Sequence, residues 1–151
     1  MKENDFELKI RKLIKEIIYN KPEFQILEFK SVVDIVICRN TKQNPKLYFI
    51  EVKYATGKKG RINIGSPKGV GIQPEILKTK PEYFLQNMKW ILGQEKDDKI
   101  YILDTNKATQ YIAGKGIGVK QNNLQNRLFE IEEGLSTERF KQEIKKWFKI
   151  R

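Results

Sequence analysis

Residues 46–55 read KLYFIEVKYA, and this stretch decides the fold. Its period-two pattern is that of a strand, with Leu47, Phe49, Glu51 and Lys53 on one face and Tyr48, Ile50 and Val52 on the other. Immediately upstream, TKQNPK (41–46) is a turn marked by Asn44-Pro45. Before it, FQILEF (24–29) and SVVDIVICRN (31–40) are rich in β-branched and aromatic residues and read as two strands or one bent one. If the strands on either side of the turn pair, Asp34 comes close to Glu51.

Working outward, DFELKIRKLIKEIIYN (5–20) carries Phe6, Ile10, Leu13, Ile14 and Ile17 at helical spacing, with Asn4 or Asp5 as cap and Pro22 as terminator. At 100° per residue Glu7 lies on the edge of the apolar stripe, whereas Glu16 points away. Downstream, a helix is predicted over 81–92, with Phe84, Leu85, Met88, Ile91 and Leu92 inward and Gly93 as its stop. KIYILD and QYIA read as strands around the turn DTNKAT, and AGKGIGVKQNN as a loop. Ser136 caps a last amphipathic helix with Phe140, Ile144, Trp147 and Phe148 on one side. Trp90 and Trp147 fall on apolar faces and are assigned to the core. The order helix, strands, helix, strand, strand, helix predicts an α/β domain, a central mixed sheet flanked by helices, over residues 1–151.

Composition narrows the chemistry. The chain has no histidine and one cysteine, Cys38, which sits among aliphatic residues and reads as a buried thiol. Serine–histidine and cysteine–histidine hydrolases, histidine zinc sites, cysteine-cluster metal sites and intramolecular disulfides are therefore excluded. Catalysis would have to run on carboxylates, lysine, hydroxyls and a hard cation. Thirty Lys and Arg against nineteen Asp and Glu give 30 − 19 = +11, which favours a polyanionic partner such as nucleic acid. No apolar run is long enough to span a bilayer, and the N-terminus MKENDFELKI lacks the apolar segment of a signal peptide, so a cytoplasmic location is expected.

Asp34, Glu51 and Lys53 are the informative set. An unpaired carboxylate in an aliphatic strand is costly to bury, and two carboxylates brought together repel unless a cation lies between them. Mg²⁺ suits such a pair, since it takes oxygen ligands and keeps waters for a substrate phosphate. The structural alternative is a buried acid–lysine ion pair. Asp34, a turn, and then Glu51-Val52-Lys53 resembles the motif of the PD-(D/E)xK nuclease superfamily, which includes type II restriction endonucleases and Holliday-junction resolvases. Val33 stands before Asp34 where the motif has proline.

The resemblance covers about the first 55 residues. It implies a restriction-endonuclease-like core, Mg²⁺-dependent hydrolysis of phosphodiesters in duplex or branched DNA (with Mn²⁺ able to substitute) and a homodimer. It also implies Asp34 and Glu51 as metal ligands and Lys53 as the catalytic lysine. Many members add a glutamate from the first helix, and Glu7 takes that place here as a further catalytic and metal-binding residue; it also fits a capping box opened by Asn4. Ser31 is similar to a serine of archaeal-type resolvases, which implies that it contacts DNA.

The stretch ATGKKGRINIGSPKGVGIQ (55–73) holds five glycines, four basic residues and no acid. Glycines let backbone N–H groups approach phosphates, so Lys58, Lys59, Arg61 and Lys68 read as DNA-backbone contacts. Arg61, Asn63, Ser66 and Gln73 are placed to read base edges. A solvated connector is the plain alternative, and a Walker A loop is excluded because Gly60 to Gly65 is followed by Ser66 without the required lysine.

Overall fold

The computed structural model describes residues 2–28, 33–42, 45–56, 61–63, 82–111 and 123–150, with the backbone alone at 61, 63, 83, 84 and 123. In chain order the elements are α1 (Glu3–Ile17), β1 (Phe24–Ile26), β2 (Ile35–Arg39), β3 (Lys46–Ala55), β4 (Arg61–Asn63), α2 (Glu82–Asn87), β5 (Met88–Gln94), β6 (Tyr101–Asp104), α3 (Thr105–Thr109), β7 (Asn123–Gln125), α4 (Leu128–Ile131) and α5 (Thr137–Phe148). Five strands form one mixed sheet in the order β1-β2-β3-β5-β6, while β4 and β7 make a separate two-stranded ribbon. The strands β1, β2 and β3 pair antiparallel; β5 joins β3 in parallel, and β6 returns antiparallel to β5.

The alternation along β3 sorts two cores, one on each face of the sheet. Tyr48, Ile50 and Val52 join Ile35, Ile37 and Ile91 under α1 and α5. The helices contribute Phe6, Ile10, Leu13, Ile14 and Ile17 from α1 and Phe140, Ile144 and Phe148 from α5. Each such side chain taken out of water contributes about 1.5–3 kcal/mol. Lys141 Nζ bonds Glu16 at 2.6 Å and ties the two helices across their outer edges. The opposite face packs Val36, Trp90, Leu92 and Leu103 against Ala108 of α3, Leu128 and Phe129 of α4, and Ile62 and Leu124 of the ribbon. Glu51 and Lys53 belong to this second face.

Several sequence expectations change. The segment 88–94 is a strand, not the second half of a helix. Met88, Trp90, Ile91 and Leu92 are all buried because a central strand covered on both sides carries a continuous apolar run, which a helical period also fits. Gly93 is therefore not a helix stop. A Cβ there would lie 2.7 Å from the Phe6 ring, so glycine lets α1 settle on the sheet. The predicted turn after Asp104 is the helix α3, started by Asp104 accepting from the Lys107 N–H at 2.7 Å.

Tyr111 of the expected strand QYIA lies in a turn. The strands β4 and β7 and the short helix α4 were not foreseen, and β4 falls inside the glycine-rich stretch. Cys38 is half-buried rather than enclosed. Trp90 and Trp147 do pack into the cores, and Ser136 caps α5 by accepting from the Arg139 N–H at 3.3 Å. Among the described residues, no helix is long and apolar enough to cross a membrane.

Gly93→Ala is expected to lower stability by about 1–3 kcal/mol, the usual cost of an added methyl in a packed contact. Phe6→Leu in the same chain should recover part of that loss by vacating the ring. Thermal denaturation of the two variants beside the parent checks this, and an unchanged midpoint for Gly93→Ala would refute the packing role.

Candidate active site

The site arises where β2 stops and β3 continues. The register pairs Ile35 with Ile50, so one further step places Asp34 opposite Glu51. Asp34 lies just before β2, not inside it as the sequence suggested. Beyond that point the N–H groups of β3 that face β2 have no strand to meet. The N–H of Val52 donates to Asp34 Oδ2 at 2.7 Å, and the N–H of Tyr54 donates to the carboxylate of Glu3. Two acids thus stand in for the missing strand.

Glu51 is 1 % exposed. Its Oε1 lies 3.5 Å from Lys53 Nζ, and its Oε2 has no hydrogen-bond partner. Lys53 is two residues along the same strand, so both side chains leave the same face. Trp90 is the neighbour of Glu51 across the parallel β3–β5 pair and is itself buried. Burial first, and then the facing charge of Asp34, push the Glu51 carboxyl up to about 9, while Lys53 pulls it back. The metal-free site therefore holds a proton at neutral pH that a divalent cation would displace.

Glu3 is the residue that the sequence reading missed. Glu3 is exposed, yet desolvation beside the sheet raises its pKa; Lys53 opposes the rise, and the charges of Asp34 and Glu7 add to it. It sits in the first turn of α1, four residues before Glu7 and on the same side of the helix. Placing the cap at Asn4 or Asp5 left Glu3 outside the helix. In the structure Lys2 precedes the first turn and its N–H donates to Asp5 Oδ2 at 3.3 Å, so Glu7 is not the acid of a capping box. Glu7 instead accepts from Arg11 Nε at 3.0 Å. Arg11 Nη2 also donates to the backbone carbonyl of Asp34.

A divalent cation fits this arrangement because two carboxyls, Glu51 and Asp34, face one another in a buried place, where only a proton or a cation between them relieves their repulsion. Among the described residues no three histidine, cysteine, aspartate or glutamate side chains form a metal cluster by themselves. Asp34 and Glu51 would therefore share the cation with water, as Mg²⁺ permits. Of the residues predicted to contact DNA, Ser31, Lys58, Lys59, Ser66, Lys68 and Gln73 lie outside the described residues. Arg61 and Asn63 lie on β4, opposite Gln125 and Asn123 of β7. Compared with known proteins, the chain matches no protein-family model and no curated protein.

The raised pKa of Glu51 has a definite consequence for stability without metal. A carboxyl whose folded pKa exceeds its unfolded value stabilises the fold below about 4.5 and loses that contribution as pH rises towards about 9. In EDTA, Glu51→Gln should therefore melt above the parent at pH 8, by about 2–4 °C for each kcal/mol that holding the Glu51 proton costs there, and the two should converge near pH 4. Equal melting temperatures at pH 8 would mean that Glu51 ionises freely.

Proposed function

We propose that this chain is a Mg²⁺-dependent endonuclease of restriction-endonuclease-like fold that hydrolyses phosphodiesters in double-stranded DNA. The observation that carries the reading is the buried Glu51 carboxyl facing Asp34, with one oxygen unpartnered and Lys53 on the other. Asp34 and Glu51 would hold the cation, and the charge of Glu3 is felt by the same site. Bound Mg²⁺ would supply Lewis-acid stabilisation of the charge that builds on the phosphate.

The residues of the chain do the rest. Lys53 is held by Glu51 with its ammonium at the acid pair, where it can donate to a phosphate oxygen or orient the attacking water. The net charge of +11 draws in DNA and makes binding fall steeply with salt. Two cuts on opposite strands need two copies of the site, which supports a homodimer.

The competing reading is structural: Asp34 and Glu3 close the open N–H groups of β3, and Lys53 neutralises Glu51. It accounts for these contacts, but not for two carboxylates brought face to face in a buried place. Supercoiled plasmid, linear duplex and a synthetic four-way junction, each incubated with Mg²⁺, Mn²⁺, Ca²⁺ or EDTA, separate the possibilities. Nicking or linearisation with Mg²⁺ and none with EDTA is the expected result, and Lys53→Ala should lose about 10²- to 10³-fold in rate, as for loss of one charge-stabilising donor. Preferential cutting of the junction would assign a resolvase. Cleavage that persists in EDTA, or a Glu51→Ala protein that still cuts, would overturn the proposal.

A further inference from the structure

Asp34 carries the site, yet it lies outside the β2–β3 ladder, so its position depends on side-chain contacts. One is the Val52 N–H on its carboxylate at 2.7 Å. The other is Arg11, whose Nη2 donates to the Asp34 carbonyl. The same guanidinium gives its Nε to Glu7 at 3.0 Å, while Nη1 lies 3.9 Å from Glu28. Arg11 therefore reaches across from α1 to the backbone of a candidate metal ligand. Its side chain is 22 % exposed, whereas that of Glu28 is 68 % exposed, so the Glu7 and Asp34 contacts outweigh the third.

We infer that Arg11 is a positioning residue for the metal site, and that Glu7 acts through it rather than as a ligand. The inference rests on the metal reading given above. Glu7 sits four residues before Arg11, one helical turn away, and its carboxylate aims the guanidinium plane. With Nε so held, the guanidinium plane directs Nη2 to the Asp34 carbonyl. The planar fork is essential, since lysine offers a single ammonium that cannot serve Glu7 and the carbonyl from two fixed donors. A cation drawn to Glu7 would share its carboxylate with Arg11 and weaken the hold on the guanidinium that bonds Asp34. Residues that orient a metal ligand commonly change affinity by about 10- to 100-fold.

The test is Mn²⁺ affinity, read by water-proton relaxation, for the parent, Arg11→Met, Arg11→Lys, Glu7→Gln and the Glu7→Gln/Arg11→Met pair. Metal-free melting temperatures serve as the folding control. Arg11→Met should weaken Mn²⁺ binding about 10-fold or more, and Arg11→Lys should recover only part of that. Glu7→Gln should weaken binding in the parent yet add less than about twofold on Arg11→Met, the non-additivity of residues acting as one unit. Should Arg11→Met fail to fold, Arg11→Lys takes its place in the cycle. Parent-like affinity in the Arg11 variants, or an equal Glu7→Gln effect in both backgrounds, would overturn the inference while leaving the metal site standing. A parent that takes up no Mn²⁺ would overturn the metal reading itself, and this inference with it.

Discussion

The structure turns on a mismatch in strand length. β3 runs on to Ala55, whereas its antiparallel neighbour β2 begins at Ile35, opposite Ile50. Backbone donors left open at such a point must be satisfied by something other than a strand. Here Val52 gives its N–H to Asp34 and Tyr54 gives its own to Glu3. The same stretch of β3 aims Glu51 and Lys53 to one side, so closing the backbone and gathering the acids are a single event.

The gathering is unfavourable taken alone. A nearly inaccessible Glu51 opposite a second carboxylate ionises only at a cost, so without metal it keeps its proton, and Lys53 reaches only one of its two oxygens. The apolar patterning agrees with the fold on both faces of the sheet. The apolar stripe of α1 meets the apolar face of β3, and Gly93 clears the way for Phe6. Two carboxyls gathered in a buried place are the kind of conflict that a bound ligand relieves.

Sequence alone brought out the centre of the molecule and lost its margins. The alternation of KLYFIEVKYA placed Glu51 and Lys53 on one face, and the apolar stripe of 5–20 placed α1, because each pattern extends over enough residues to fix its own period. Segment 88–94 defeated the same method, since a strand buried on both faces shows no alternation and its apolar positions also satisfy a helical repeat. The ribbon strands β4 and β7 are three residues each and depend on a partner far away in sequence. Glu3 escaped because the helix was started one turn late. Arg11 escaped for another reason: its role lies in a contact with the backbone of Asp34, and no pattern of side chains announces such a bond.

The central claim is that Asp34 and Glu51 face one another in order to share a divalent cation. Crystals grown without metal and soaked in Mn²⁺, with anomalous scattering recorded above and below the manganese edge, address it most directly. The account requires an anomalous peak between the two carboxyls, within about 2.0–2.5 Å of an oxygen of each, as hard divalent cations bind oxygen. No peak there, with Glu51 still buried against Lys53 and its second oxygen still unpartnered, would contradict it.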